Sequence, residues 1–448
     1  MPTPRVLVLG GGLSGMAAAY TLARAGWDRV TVVERGPELG GLAGTFETGG
    51  HFYPLAYHHI LHRDRGLLYF LDAIGALPDV RWRKIVMLFQ LRGRMYDFMH
   101  PVDFLRFPMS LVDKLRFVRL MLRCFGKSDW SDWNHRSAAE LVDEWGGPGV
   151  RRAIFDPLTQ LKFNRPCDEV SGAWLGARLH FREGSAPFGY IPGTNWTKVL
   201  CEGVANLLAS VSVDVRVSTT VRALVAEDNR VTRIELDNGE HLEADVVVST
   251  VPTEVYQQLL SDPRPDLDHI RYTAVVSAIF ATKQQVTPNF YWMNLASRDC
   301  TASGMFMLNA LNPTIGAPGD TCLNLMTHVP HRGDAFFQQS DDEILAGYRA
   351  DFQRVFGFEL EPFWTQVNRL AIYAPVFHQG YENPPLRDAV FRNVYGAGNY
   401  RTFPSIASTG TALSSGVETA AAVLADHNGT TDLPAEIDRY RLASMPRG

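Results

Sequence analysis

A chain of 448 residues with 46% hydrophobic and 20% charged residues has a globular composition and is long enough for two interleaved cores. The formal net charge of −5 argues against nucleic acid as the main partner. Five scattered cysteines, without a C-x-x-C pair or metal-ligand spacing, exclude a dithiol redox centre and a structural zinc, and they fit a reducing compartment.

The opening "MPTPR" has no signal-peptide pattern, and no stretch of about 18 uncharged apolar residues exists to span a bilayer. The expectation is a cytoplasmic enzyme acting on a small molecule.

Residues 6–9, "VLVL", read as a buried parallel strand, because a helix of that composition would not stop after four residues. Gly10, Gly12 and Gly15 then satisfy G-x-G-x-x-G. Gly10 permits the tight turn, Gly12 lets a pyrophosphate approach the backbone, and Gly15 lets the following helix pack on the strand. That helix is expected over residues 14–24. Leu13 and Ser14 lie at its start, where free N–H groups and the positive dipole end face the phosphates. "RVTVVE" is the second strand, and it ends on Glu34, placed to accept hydrogen bonds from a ribose diol. Strand, turn, helix, strand and acid in that order specify a dinucleotide. The acid at Glu34 disfavours a 2′-phosphate.

The next segment, "ERGPELGGLAGTF", places Gly40 and Gly41 shortly after the acid. The pattern resembles the flavin-containing amine oxidase, protoporphyrinogen oxidase and phytoene desaturase superfamily. The resemblance implies FAD, with the double-glycine turn closing over its diphosphate. Leu42 stands where several amine oxidases carry arginine, which leaves one phosphate charge to other groups such as Arg35.

Further along, "VRALVAEDNRVTRIELDNGEHLEADVVVSTVP" reads as strands with a tight "DNG" hairpin and a buried strand. In the superfamily this segment returns to the FAD domain, with a backbone contact near Val221 to the adenine. "FRNVYGAGNY" and "STGTALSSGVETAAAVLAD" are similar to the superfamily's last block. There, Gly398 and the helix start at Thr411, Ala412 and Leu413 cover the ribityl chain and the pyrimidine edge of the flavin. Asn399 replaces the acid usual after that glycine. With no cysteine in this region, FAD is expected to be bound noncovalently.

These blocks imply an α/β fold: a Rossmann-like FAD-binding domain, discontinuous in sequence, with a mixed α+β substrate domain. The FAD domain takes residues 1–50, 196–255 and 386–430. The substrate domain takes residues 51–195 and 256–385, and residues 431–448 form a C-terminal tail. A second G-x-G-x-x-G for NAD(P)H is lacking.

In the superfamily the chain after the double-glycine turn passes under the flavin ring, and here it reads "GGHFYPLAYHHI". Tyr57 is therefore a candidate substrate contact, and His58 and His59 are candidate proton acceptors while hydride goes to the flavin. The plainer alternative is an imidazole bonded to a loop carbonyl. Arg165 in "LKFNRP" can hold an anionic group, and Tyr190 in "GYIPG" is a second pocket candidate. Finally, Leu111, Leu115, Val118, Leu122 and Phe125 repeat at helical spacing beside Arg116, Arg119 and Arg123. The preferred reading is an ordinary amphipathic helix with solvated arginines. The other is a peripheral membrane contact through residues 104–125.

The function implied is FAD-dependent dehydrogenation of a C–H bond. A non-redox flavin isomerase resembling UDP-galactopyranose mutase is the alternative, since the same FAD blocks occur there.

Overall fold

The computed structural model describes residues 3–97, 100–127, 129–180, 187–296 and 300–440. Strand β1 (Val6–Leu9) is wholly buried, and helix α1 (Leu13–Arg24) starts one residue before the expected position. Strands β2 (Val30–Val33), β3 (Asp214–Arg216), β4 (Val246–Ser249) and β5 (Val394–Gly396) join β1 in one parallel sheet, ordered β5-β4-β1-β2-β3. Three segments far apart in sequence thus build one dinucleotide-type sheet. Strands β1, β2 and β4 are short β-branched or leucine runs of the kind that suits burial on both faces, whereas β3 is a more exposed edge strand.

Small residues let the covering helices approach closely. Helix α7 (Thr409–Asp426) lies against α1, and a Cβ on Gly416 would fall 2.1 Å from the Ser14 carbonyl oxygen. Helix α2 (Arg65–Ala73), from within residues 51–195, also packs on α7 and buries Leu67, Leu68, Phe70 and Leu71 in this layer. Helix α8 (Leu433–Arg439) docks on the same face, where Glu436 accepts from Arg24 Nη1 at 3.0 Å and from Tyr69 Oη at 2.8 Å.

The second large sheet has seven strands. Tyr272–Thr282 sits between Pro362–Pro375 and Thr321–Val329, and the sheet continues through Gly304–Met307 and Trp292–Leu295 to Met87–Leu91 and Arg94–Asp97. Residues on both sides of the FAD-type segments therefore share one sheet, joined where Trp292–Leu295 runs parallel to Met87–Leu91. A three-stranded meander of Val221–Glu227, Arg230–Leu236 and His241–Glu243 turns first at Asp228-Asn229, both at positive φ, and then at the "DNG".

The helical layer holds α3 (Leu111–Phe125), α4 (Asp156–Phe163) and α5 (Gly172–His180), and α6 (Trp196–Ser210) returns the chain to the first layer. The orientation of α3 corrects the preferred reading. It packs inward through Lys114, Leu120 and Cys124, with Phe117 and Met121 against the core, so the row Leu111, Leu115, Val118, Leu122 and Phe125 faces outward. Arg119 and Arg123 are exposed as expected, and each also lies over the Trp145 ring, 4.8 and 4.9 Å from its centroid. Among the described residues, no helix is long and apolar enough to cross a membrane.

Candidate active site

The three motif glycines have three different physical causes. Gly10 has φ +98, a conformation L side chains rarely adopt. A Cβ on Gly15 would fall 2.0 Å from the Gly10 carbonyl oxygen, whereas a Cβ on Gly12 would meet no atom within 4 Å. Gly12 is therefore not required by packing within the protein. It leaves bare backbone facing open space at the start of α1, where no side chain caps the helix.

The second glycine turn closes on the first. Gly40, at φ +121, forms a parallel bridge with Gly12, and a Cβ on Gly41 would lie 3.2 Å from Gly12 Cα. Leu42 follows in a short helical turn, half-buried. Glu34 accepts from Gly11 N at 2.6 Å and from Gly36 N at 2.7 Å, which fixes its carboxylate at the edge of this patch. Each carboxylate oxygen keeps a further lone pair for a hydroxyl. Arg35 beside it is exposed. The Glu34 carbonyl oxygen accepts from Thr219 N at 2.9 Å, which brings Val221, at the start of the meander, to the same end.

The C-terminal block reaches this patch from the other side. Ser14 Oγ donates to the Ala412 carbonyl at 2.8 Å, and Gly398, at φ +140, donates its N–H to Ser415 Oγ at 3.0 Å. Asn399 Oδ1 accepts from Thr411 Oγ1 at 3.4 Å. Leu413 is fully buried, so its side chain serves the core.

From the double-glycine turn the chain runs directly to Tyr57, with Leu55 N bonded to the Gly44 carbonyl at 3.2 Å. Tyr57 stacks on Phe306 with ring centroids 3.7 Å apart, and burial pushes its phenol up to about 12. His58 turns the other way. Its Nδ1 lies 2.8 Å from the Ala56 carbonyl, which can only accept, so Nδ1 carries the hydrogen and Nε2 keeps the lone pair. His59 stacks on Phe188 at 4.4 Å, and burial, with His58, Arg178 and Lys162 nearby, lowers it to about 3. It is neutral at physiological pH.

Tyr57 lines a narrow cavity with Leu158, Leu161, Trp292 and Phe306, and two cations, Lys162 and Arg178, share it. Helix α4 ends at Asn164 in the left-handed conformation, and Asn164 Nδ2 reaches back to the His328 carbonyl at 3.4 Å, holding Lys162 beside the seven-stranded sheet. Helix α5 is pinned through Gly176, where a Cβ would fall 2.4 Å from the Trp130 ring. Arg178, two residues on, points the opposite way. Neither His58 nor His59 lines this cavity, and neither do Arg165 and Tyr190. Arg165 pairs with Glu169 at 3.4 Å, and Tyr190 sits in a two-stranded ribbon opposite Arg81. A depression lined by Arg222, Arg233, Glu235 and His241 lies on the meander.

The family profile for flavin-containing amine oxidoreductases matches residues 13–424. The chain belongs to that family. It is 24% identical over 423 residues to a coproporphyrinogen III oxidase of Mycobacterium tuberculosis, covering 85% of this chain and 88% of the relative. A protoporphyrinogen-oxidase-like protein from Exiguobacterium superposes with a TM-score of 0.76 at 20% identity, covering 94% and 99% of the two chains. Reduced UDP-galactopyranose mutase also gives 0.76, at 16% identity and 98% of each chain. Both structural likenesses lie in the fold.

As a flavin-containing amine oxidoreductase the chain is an FAD-dependent enzyme, and its residues fit that cofactor. The side-chain-free patch at Gly12, Gly40 and Gly41 suits a diphosphate, and the anchored Glu34 suits a ribose. The sequence reading missed Lys162 and Arg178 as cavity residues. The available signal was a single arginine inside the otherwise apolar run "GAWLGARLH", all of it buried except Arg178 and His180.

Proposed function

We propose that this enzyme removes hydride from a C–H bond of a small organic substrate held in the Tyr57 cavity, leaving a C=C, C=N or C=O bond. The observation that carries the reading is the position of Tyr57, which joins the glycine cradle to the cavity within one short segment. FAD would be held noncovalently along that cradle, where it would supply hydride acceptance at N5 and onward electron transfer to oxygen or another acceptor. Gly10, Gly12, Leu13, Ser14, Gly15, Glu34, Gly40, Gly41 and Leu42 bind it on one side, with Val221, Gly398, Asn399, Thr411 and Ala412 on the other. Neither His58 nor His59 lines the cavity, so neither is assigned the substrate proton; His58 is held on the Ala56 carbonyl and His59 supports the Tyr57 segment by stacking.

Anaerobic mixing of the oxidised, FAD-loaded protein with candidate substrates tests this. Bleaching of the yellow chromophore by substrate alone supports dehydrogenation. Turnover only after prior reduction, with no net electron transfer, would establish an isomerase instead.

The outward face of α3 supports a further part of the reading. Leu111 and Leu115 are each 73% exposed and Leu122 66%, and Leu105, Val112, Val118 and Phe125 extend the patch. Arg106, Arg116, Arg119 and Arg123 are exposed around it. A row of apolar side chains rimmed by arginines complements an anionic lipid surface, and we assign this face to peripheral membrane contact.

A further inference from the structure

Among the described residues, the cavity lining holds two cations and no acid. Lys162 and Arg178 line it together with Tyr57, Trp292, Phe306 and His328, and Asn294 and Ser303 supply its neutral polar atoms. Among the described residues neither cation has an ion pair or a hydrogen bond. Their partners are ring faces only: Arg178 lies 5.6 Å from the Trp174 centroid and Lys162 lies 5.9 Å from that of Phe163.

Arg264, more deeply buried than the half-buried Lys162 and Arg178, shows how this chain treats a buried charge that serves structure. Arg264 is held at 2.8 Å by both Asp266 and Asp388. Among the described residues, nothing comparable stands beside Lys162 or Arg178. Burial lowers both groups, and the positive charge of Arg178 lowers Lys162 further, to about 7. A half-buried pair of like charges, without a counter-ion among the described residues, costs folding energy, and such costs persist where a ligand offsets them.

We propose that Lys162 and Arg178 together seat an oxyanion of the substrate, a carboxylate or a phosphate group, with the substrate's apolar remainder against Tyr57, Trp292 and Phe306. This rests on the reading of the cavity as the substrate site. The chemistry suits the two side chains: a guanidinium grips two oxygens at once, and an ammonium adds a point charge. The same pair repels a protonated amine, so the cavity selects against the cations that the family's name suggests. Seating an anion also restores the proton that Lys162 holds weakly near neutrality, so binding takes up a proton.

The test is calorimetric titration of the FAD-loaded protein at pH 7.5 with benzoate, phenyl phosphate, neutral benzamide and cationic benzylamine, in two buffers of different ionisation enthalpy. At least one anion is expected to bind roughly tenfold or more tightly than benzamide, with net proton uptake, and benzylamine weakest of all. The two anion arms separate carboxylate from phosphate. Arg178→Met and Lys162→Met should each abolish the preference for anions while keeping bound FAD, and Lys162→Met should also remove the proton uptake. Binding of benzamide or benzylamine as tight as that of both anions overturns the proposal, as does silence of both anions at millimolar concentration. Retention of the preference in both variants overturns it too. Heat of binding does not depend on flavin chemistry, so the two readings fail separately. A chain that binds anions but never carries flavin loses the redox reading alone.

Discussion

Gly40 N donates to the Gly11 carbonyl at 2.8 Å, and that bond lays the second glycine turn over the first. Two stretches separated by the whole of α1 and β2 meet there backbone to backbone. Three residues without side chains, Gly12, Gly40 and Gly41, therefore share one patch, closed below by α6, where Cys201 Sγ lies 2.7 Å from a Cβ placed on Gly40.

This arrangement separates cofactor binding from folding at single-residue resolution. Gly12, at φ −69 and ψ 173, has a backbone any residue adopts, and its missing Cβ leaves open space. Gly12→Ala should fold with a ligand-free stability within about 0.5 kcal/mol of the parent, yet bind FAD at least roughly tenfold more weakly. Gly15→Ala, driven against the Gly10 carbonyl, should lose about 2 kcal/mol or more. Thermal unfolding and flavin content of the two variants give the comparison. Full flavin occupancy in Gly12→Ala would remove the diphosphate from this turn.

Asp64 ties two helix starts together. Its carboxylate caps α2 through Leu67 N at 3.5 Å and accepts from Ser408 Oγ at 3.4 Å and from the Gly410 N–H of α7. Asp64→Ala releases both ends at once. At about 1 kcal/mol per cap, the expected loss is roughly 2 kcal/mol, read as a lowered unfolding midpoint in urea. Asp64→Asn keeps an acceptor and should lose less. Equal losses from the two substitutions would place the effect in packing rather than capping.

The α3 face makes a prediction about surfaces. Leu115→Glu with Leu122→Glu changes two side chains that are 73% and 66% exposed, so stability should stay within about 0.5 kcal/mol. Co-sedimentation with vesicles containing phosphatidylserine should fall from measurable to background, and neutral vesicles should bind the parent weakly. Equal binding of parent and variant to anionic vesicles would take α3 out of the contact.

How much of this was legible in the chain follows from locality. The β1–turn–α1–β2 unit is written in consecutive residues, because a strand, a glycine turn and a small-residue helix each need a local composition. Glu34 was legible for the same reason. The cavity was not, since Tyr57, Lys162, Arg178 and Trp292 come from four segments whose meeting depends on long-range packing. Sequence reading singles out Arg165 and passes over Arg178, but Arg165 lies past the left-handed Asn164, where the chain has left α4, and it pairs with Glu169. In α3 the apolar period was read correctly and its direction was not: the helix is anchored through Lys114, Leu120 and Cys124, with Lys114 Nζ bonded to the Leu105 carbonyl at 2.6 Å. A period cannot say which side the neighbours occupy.

Lys162 gives the last prediction, on stability against pH. Burial, with Arg178 adding its charge, lowers the ammonium from 10.5 to about 7. Below about pH 7 both the folded and the unfolded chain are protonated there, and the folded chain bears the full cost of the enclosed charge. Between about 7 and 10.5 the unfolded chain binds more protons than the folded one, so this group's contribution to stability improves as pH rises. Lys162→Met removes the charge at every pH. In the absence of anions its unfolding midpoint should exceed the parent's most at pH 6, by an amount on the order of 2 kcal/mol, and the gap should shrink steadily toward pH 10. Saturating benzoate should narrow the gap at pH 6, because the anion relieves the parent and gives the variant nothing comparable. A gap that is flat from pH 6 to pH 10 would mean that the Lys162 ammonium is solvated, and the cavity could not then depend on it for charge.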